Sequence, residues 1–204
     1  MAEDEKEEGS EKDEEFPEPD VTIQNIVASV DLKGEVNLDE CSVILQGEYE
    51  PEQFPGLVYR LKDIGTVVLI FRSGKMVCTG AKTREQIYES VKKVREDLEK
   101  KCGVKFEGEP EIEIQNVVAS ADFHVPLDLD TIAEVLIADE EIKGIEYEPE
   151  QFPGLVLRLK EPKVAMLLFY SGKAVCTGAK DEKEPEIAVK KIAEKIKKYG
   201  LQLS

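Results

Sequence analysis

The 204-residue sequence has no tryptophan, one histidine (His124) and four cysteines (Cys41, Cys78, Cys102, Cys176), and no apolar run in it nears the ~18 residues that a membrane span needs. Each shortage excludes a class of function. A single imidazole cannot build a histidine metal cluster, and no serine/histidine/aspartate grouping or glycine-rich phosphate loop accompanies it. The cysteines have neither zinc-site spacing nor the density of a disulfide framework, so reduced thiols inside a cell are expected. The first residues are acidic where an export leader is basic and then apolar, so no leader is expected. Asparagine and glutamine together number ten against 22 lysines, a balance that leans toward a thermophile.

What the chain does have is negative charge: 44 acidic against 27 basic side chains, a net of −17, which argues against casual binding to nucleic acid. The excess is uneven. Residues 1–20 hold 11 acids and two lysines, with only Met1 and Phe16 as sizeable apolar side chains, and are expected to form an acidic disordered tail. The remainder carries only −8, so its bases can still gather on one face.

An internal repeat organises that remainder. IQNIVASV at 23–30 returns as IQNVVASA at 114–121, an offset of 91; YEPEQFPGLVYRLK at 49–62 returns as YEPEQFPGLVLRLK at 147–160, an offset of 98; FRSGKMVCTGAK at 71–82 returns as FYSGKAVCTGAK at 169–180, also at 98. Two units, 21–111 and 112–204, are therefore related by duplication, and the second carries seven extra residues placed around Ala138 to Gly144, in a helix or its exit.

Each unit reads alike. A β-branched strand (23–30; 114–121) precedes a short amphipathic helix (38–45; 129–137), then three strands (57–61, 67–71 and 76–79; 155–159, 164–169 and 174–177) and a longer helix. Ile87, Val91, Val94 and Leu98 mark the apolar face of the first long helix; Ile187, Ile192, Ala193 and Ile196 mark the second, with Pro185 in its opening turn. The Ser-Gly-Lys steps at 73–75 and 171–173 predict hairpin turns with a positive-φ glycine. The expected fold is α+β: one ten-stranded antiparallel sheet with four helices on one face.

Alternation then sorts the strand residues. If Met76 and Cys78 point inward, Val77 and Thr79 point outward, as do Val175 and Thr177. Asn25, Val27 and Ser29 share a face, repeated by Asn116, Val118 and Ser120, while Leu69 alternates with Phe71 and Leu167 with Phe169. A second face this apolar marks an interaction surface, although alternation alone leaves open whether helices or another subunit cover it.

These blocks, QNxVAS, YEPEQFPG and FxSGKxVCTGAK, each present twice and in order, resemble the TATA-box-binding protein family in its archaeal form, from about residue 21 to about residue 200. The resemblance implies a pseudo-two-fold saddle, with helices on its convex face, that binds the minor groove of an A/T-rich promoter element as a general transcription initiation factor. It implies that Phe54, Phe71, Phe152 and Phe169 wedge into base steps; that Asn25, Asn116, Thr79, Thr177, Val27, Val77, Val118, Val175, Leu69 and Leu167 contact bases; and that Arg60, Arg158, Lys75, Lys173, Lys82, Lys180, Ser73 and Ser171 contact phosphates. If all six cations neutralised phosphates, the salt exponent would be roughly −5. The implied partners are promoter DNA, transcription factor B at Glu148, Glu150 and Gln151, and RNA polymerase, with a monomer on DNA and a dimer open to the free protein. The identical loop at 50–53 puts in doubt whether that surface alone fixes orientation.

The resemblance implies no cofactor, no metal and no membrane partner, and a cytoplasmic, nucleoid-associated location. Two other classes compete. The half-fold also resembles accessory domains of some DNA-repair enzymes, but no catalytic grouping stands out, and Cys78 and Cys176 fit small core residues better than nucleophiles. A module that binds only protein would leave the symmetric cations without a role.

Overall fold

β-Branched and aliphatic residues at alternate positions draw residues 20–31 and 111–122 into two long strands, β1 (Asp20–Asp31) and β5 (Glu111–Asp122), which pair antiparallel along their whole length and join the two repeats. The computed structural model describes residues 15–203. After β1 come α1 (Leu38–Leu45), β2 (Leu57–Leu61), β3 (Thr66–Ile70), β4 (Lys75–Ala81) and α2 (Arg84–Cys102). After β5 come α3 (Leu129–Leu136), β6 (Ile142–Glu146), β7 (Leu155–Leu159), β8 (Ala165–Leu168), β9 (Lys173–Ala179) and α4 (Glu184–Tyr199). Every strand lies in one antiparallel sheet, in the order β2-β3-β4-β1-β5-β9-β8-β7-β6.

Among the described residues the sheet has nine strands rather than the expected ten. In the first repeat the chain leaves α1 through Gln46, held in the left-handed conformation, and pairs only at an isolated bridge between Glu48 and Val58. In the second, the seven added residues leave α3 as short as α1 and lengthen its exit instead, giving room for β6. Lys195 of α4 anchors that exit, its ammonium 2.8 Å from Asp139 and 2.6 Å from Glu141.

Helix ends follow their sequence. Thr83 accepts from the Gln86 N–H while the Gln86 side chain returns to the Thr83 N–H, a reciprocal cap that starts α2, and Gly103 ends it in the left-handed region. Asn37 caps α1 by accepting from the Glu40 N–H, and Asp128 caps α3 by accepting from the Thr131 N–H, without the return bond. Pro185 opens α4 as expected, but Ile187 is exposed: at the offset of 98 the partner of Ile87 is Pro185, and Pro185, Ala188, Val189, Ile192 and Ile196 form the buried stripe.

All four helices lie on one side of the sheet. Ile26, Ala28, Val68, Ile70, Met76, Cys78 and their second-repeat counterparts pack inward against Ile87, Val94, Leu98, Val189 and Ile192 in one continuous core. Its few polar groups are paired: Thr66 and Ser90 share a 2.6 Å hydrogen bond, and Asp97 accepts from the Tyr59 hydroxyl at 2.7 Å. Residues 1–14 of the expected tail lie outside the described residues, whereas Phe16 packs against the core and Asp20 already pairs with Asp122.

Candidate nucleic-acid interface

With the helices gathered on one side, the other side of the sheet is open. The partly exposed residues of its strands are those that alternation assigned there: Asn25, Val27, Val77, Thr79 and Leu69 in the first repeat, and Asn116, Val118, Val175, Thr177 and Leu167 in the second. Met76, Cys78 and Cys176 are buried beneath them. Burial pushes the Cys78 thiol up and the Cys176 thiol up to about 12, so both remain protonated and inert as nucleophiles.

An aromatic pair stands toward each end of the face. Phe54 meets Phe71 edge to face at 5.8 Å between centroids, and Phe152 meets Phe169 at 6.0 Å. Phe71 and Phe169 fall just past the ends of β3 and β8 rather than inside them as expected, because the turns that follow begin there: Gly74 donates to the Phe71 carbonyl and Gly172 to the Phe169 carbonyl, with φ of 84° and 88°. Phe54 and Phe152 are 38 % and 43 % exposed, an unfavourable placement for rings this large unless something is to cover them. Each sits over a glycine for lack of room. A Cβ on Gly56 would lie 2.7 Å from the Phe54 ring, and one on Gly154 would lie 2.7 Å from the Phe152 ring. The Pro-Gly step therefore serves the ring pair as well as the turn.

At the centre, the two asparagines are oriented by backbone. The Asn25 carbonyl oxygen accepts from the Gly80 N–H at 2.8 Å, and that of Asn116 accepts from the Gly178 N–H at 2.8 Å. Since an N–H only donates, the amide orientation is settled, and each NH₂ group points toward Thr79 or Thr177 with a long contact of 3.4 or 3.5 Å. Both NH₂ groups thus keep donor capacity on the open face.

Alternation missed Gln24 and Gln115. Ile23 and Ile26 both touch the core, so the two residues between them both point away, and the β1–β5 register shifts at this point; Ile114 and Val117 repeat the pattern. This is a β-bulge. It places Gln24 over Ser120 and Gln115 over Ser29, each at 2.8 Å across the junction of the repeats. The duplicated Gln-Asn dipeptide was the available signal.

The cations at the margin are exposed but not all free. Arg60 lies 3.4 Å from Glu48, Arg158 3.7 Å from Glu146 and Lys173 3.1 Å from Asp122, whereas Lys75, Lys82 and Lys180 have no ion pair among the described residues. Ser73 and Ser171 cap their turns by accepting from the N–H of Lys75 and Lys173. Glu148, Glu150 and Gln151 are exposed in the loop before Phe152. The geometry offers a flat apolar floor with central hydrogen-bond donors, a ring pair toward each end and a cationic margin, which suits a groove of a duplex rather than a small molecule.

Comparison with known proteins agrees. The family model described as transcription factor TFIID, or TATA-binding protein, matches residues 20–101 and 111–199. A TATA-box-binding protein of Methanopyrus kandleri is 88 % identical over 182 residues, 89 % of this chain and 98 % of that one. One from Thermoplasma volcanium is 50 % identical over 182 residues, covering 89 % and 96 %. The solved structure of Methanococcus jannaschii TBP superposes with a TM-score of 0.76 at 48 % identity, over 87 % of this chain and 98 % of that one.

Proposed function

The chain belongs to the TATA-binding protein family, and from that membership we propose that it is a general transcription factor of an archaeal cell that binds the TATA element of promoters. The open face of its saddle lies on the minor groove, with Phe54 and Phe71 entering the base steps toward one end and Phe152 and Phe169 those toward the other. TATA-binding proteins are the type example of this mode, in which apolar wedges unstack a step and bend the duplex toward the major groove. The observation that carries the reading is the pair of edge-to-face phenylalanines kept partly exposed toward each end of an apolar sheet face.

The centre of the face supplies the selectivity. Both A·T orientations present only acceptors in the minor groove, at adenine N3 and thymine O2, and the Asn25 and Asn116 NH₂ groups, with Gln24 and Gln115 beside them, donate to these. A guanine amino group would meet those donors, or the apolar floor of Val27, Val77, Leu69, Val118, Val175 and Leu167, without a partner. Thr79 and Thr177 flank the asparagines. Arg60, Arg158, Lys75, Lys173, Lys82 and Lys180 hold phosphates, with Ser73 and Ser171 fixing the turns that carry two of them. Three of these cations must first exchange a carboxylate, so the salt exponent falls below that of six free cations.

Bound in this way, the protein nucleates an initiation complex with transcription factor B, through Glu148, Glu150 and Gln151, and with RNA polymerase. It is a monomer on DNA, acts in the cytoplasm on the nucleoid and catalyses nothing.

The test is a titration of A/T-rich and G/C-rich duplexes with the wild-type chain, Phe152→Ala and Phe169→Ala. The wild type is expected to prefer the A/T duplex by at least a hundredfold, as roughly 3 kcal/mol of discrimination implies. Each variant should lose most of that preference and the bend, while keeping its secondary structure. Equal affinity of the wild type for both duplexes would overturn the reading.

A further inference from the structure

The two ends of the open face are not equivalent, and the difference lies partly in the seven added residues and partly in substitutions after them. In the second repeat a groove of ≈ 640 Å³ opens beside Ala165, Thr177 and Gly178, and Lys143, Arg158, Lys160 and Lys163 line it. Lys143 comes from β6, the strand that the first repeat lacks. Lys163 stands where the offset of 98 puts Gly65, and Ala165 where it puts Val67, so the second repeat gains two charges and loses bulk from the floor between them. Arg158 is tied to Glu146 at 3.7 Å, but Lys143, Lys160 and Lys163 have no ion pair among the described residues.

We propose that this groove is a second-repeat phosphate cradle, in which Lys143 and Lys163 take duplex phosphates that the first repeat has no side chains to take. The inference rests on the functional reading above. The groove is continuous with the open face through the row Arg158, Ala165 and Thr177, which are successive cross-strand partners, so a duplex lying on the face passes over it. Three unpaired ammonium groups with an alanine floor and no aromatic wall fit the phosphates of a polyanion. The duplex is therefore held more tightly, in the electrostatic sense, alongside the second repeat.

The experiment compares the dependence of the A/T-duplex binding constant on salt for the wild type, for Lys143→Gln/Lys163→Gln, and for Lys92→Gln/Lys100→Gln, which removes equal charge from α2 on the helical side. Losing two phosphate contacts should make the log–log slope shallower by about 1.8, because each contact contributes roughly 0.9. The preference for A/T over G/C should stay at the wild-type value, since no base contact is touched. The Lys92/Lys100 variant should keep the wild-type slope. A wild-type slope in the Lys143/Lys163 variant, or the same shallowing in both variants, would overturn the cradle while leaving the functional reading intact. A wild type without A/T preference would instead overturn the functional reading.

Discussion

Asn116 can offer the open face a donor only because a backbone N–H has claimed its oxygen. The Gly178 N–H fixes the carbonyl at 2.8 Å, and Gly80 does the same for Asn25. Asn116→Asp keeps that acceptor and the shape of the side chain but replaces the NH₂ group with a second acceptor. Facing adenine N3 or thymine O2, an oxygen repels where nitrogen donates. Affinity for the A/T duplex should fall about a hundredfold, from the loss of a hydrogen bond and an unpaired charge at the interface, with the melting temperature nearly unchanged. Calorimetry and duplex titration check both parts; unchanged affinity would show that the amide does not face the bases. At this scale the sequence is legible wherever duplication speaks. All four phenylalanines, both asparagines and six marginal cations stand at repeated positions, and the structure puts the phenylalanines in two matched pairs and the asparagines in matched environments. Gln24 and Gln115 were not legible, because a bulge breaks the period of two on which facing was judged. Nor was the pairing of Arg60 with Glu48, which joins residues 12 apart across a loop.

Among elements, α2 shows how a helix with few apolar residues is still held firmly. Its stripe of Ile87, Val91, Val94 and Leu98 is buried, and Asp97, side by side with Leu98, lies against β2 with its carboxylate accepting from Tyr59 at 2.7 Å and paired to Lys93 and Lys101 at 2.9 and 3.1 Å. Burial alone would raise this carboxyl, but the bonds from Lys93, Tyr59 and Lys101 outweigh it and hold it below the ordinary carboxylate value; burial and Asp97 together push the Tyr59 hydroxyl up to about 12. The two lysines can return to solvent when Asp97 is removed, so Asp97→Asn should cost about 1–3 kcal/mol, the price of weakened bonds rather than of a stranded charge. The sign of the pH dependence follows. A carboxyl lowered by folding stabilises fully above its unfolded value, near 4, and this contribution fades as pH falls through the lower folded value. The stability gap between wild type and Asp97→Asn should therefore be widest near pH 7 and narrow below about pH 4; denaturant melts at both pH values measure it, and a gap that widens in acid would contradict the arrangement. Element types were legible from periodicity and turn residues. The missing tenth strand was not, since the residues before Tyr49 carry the same Glu that ends β6, and only the length of chain available after α1 prevents a ladder from forming. Ile187 misled for a related reason: the period was started from an isoleucine that resembled Ile87, when the repeat offset pointed to Pro185.

For the whole molecule, the question is how a chain of −17 binds a polyanion at all. Residues 1–14 hold eight acids and two lysines, so a net −6 of that charge is attached to the chain ahead of β1, while the cations of the open face sit on margins already balanced in part by Glu48, Glu146 and Asp122. On the proposed reading, specific binding depends on ring insertion and close apposition, which are short-ranged, and the long-range field opposes encounter. These two contributions separate by salt. The screening length is about 10 Å at 0.1 M and about 3 Å at 1 M, so repulsion from the acidic segment acts at the lower concentration and is screened at the higher. Removing residues 1–14 should raise the association rate on an A/T duplex several-fold at about 0.1 M salt and leave it unchanged at about 1 M, an effect of steering rather than of contact. The ratio of A/T to G/C affinity should stay the same at either concentration, because the groups proposed to select all lie between Phe54 and Thr177 or on β1 at Gln24, Asn25 and Val27. Stopped-flow association at the two salts decides it. An equal acceleration at both would place the acidic segment in direct contact with the DNA-binding face, and a slower association after its removal would mean that the segment assists encounter.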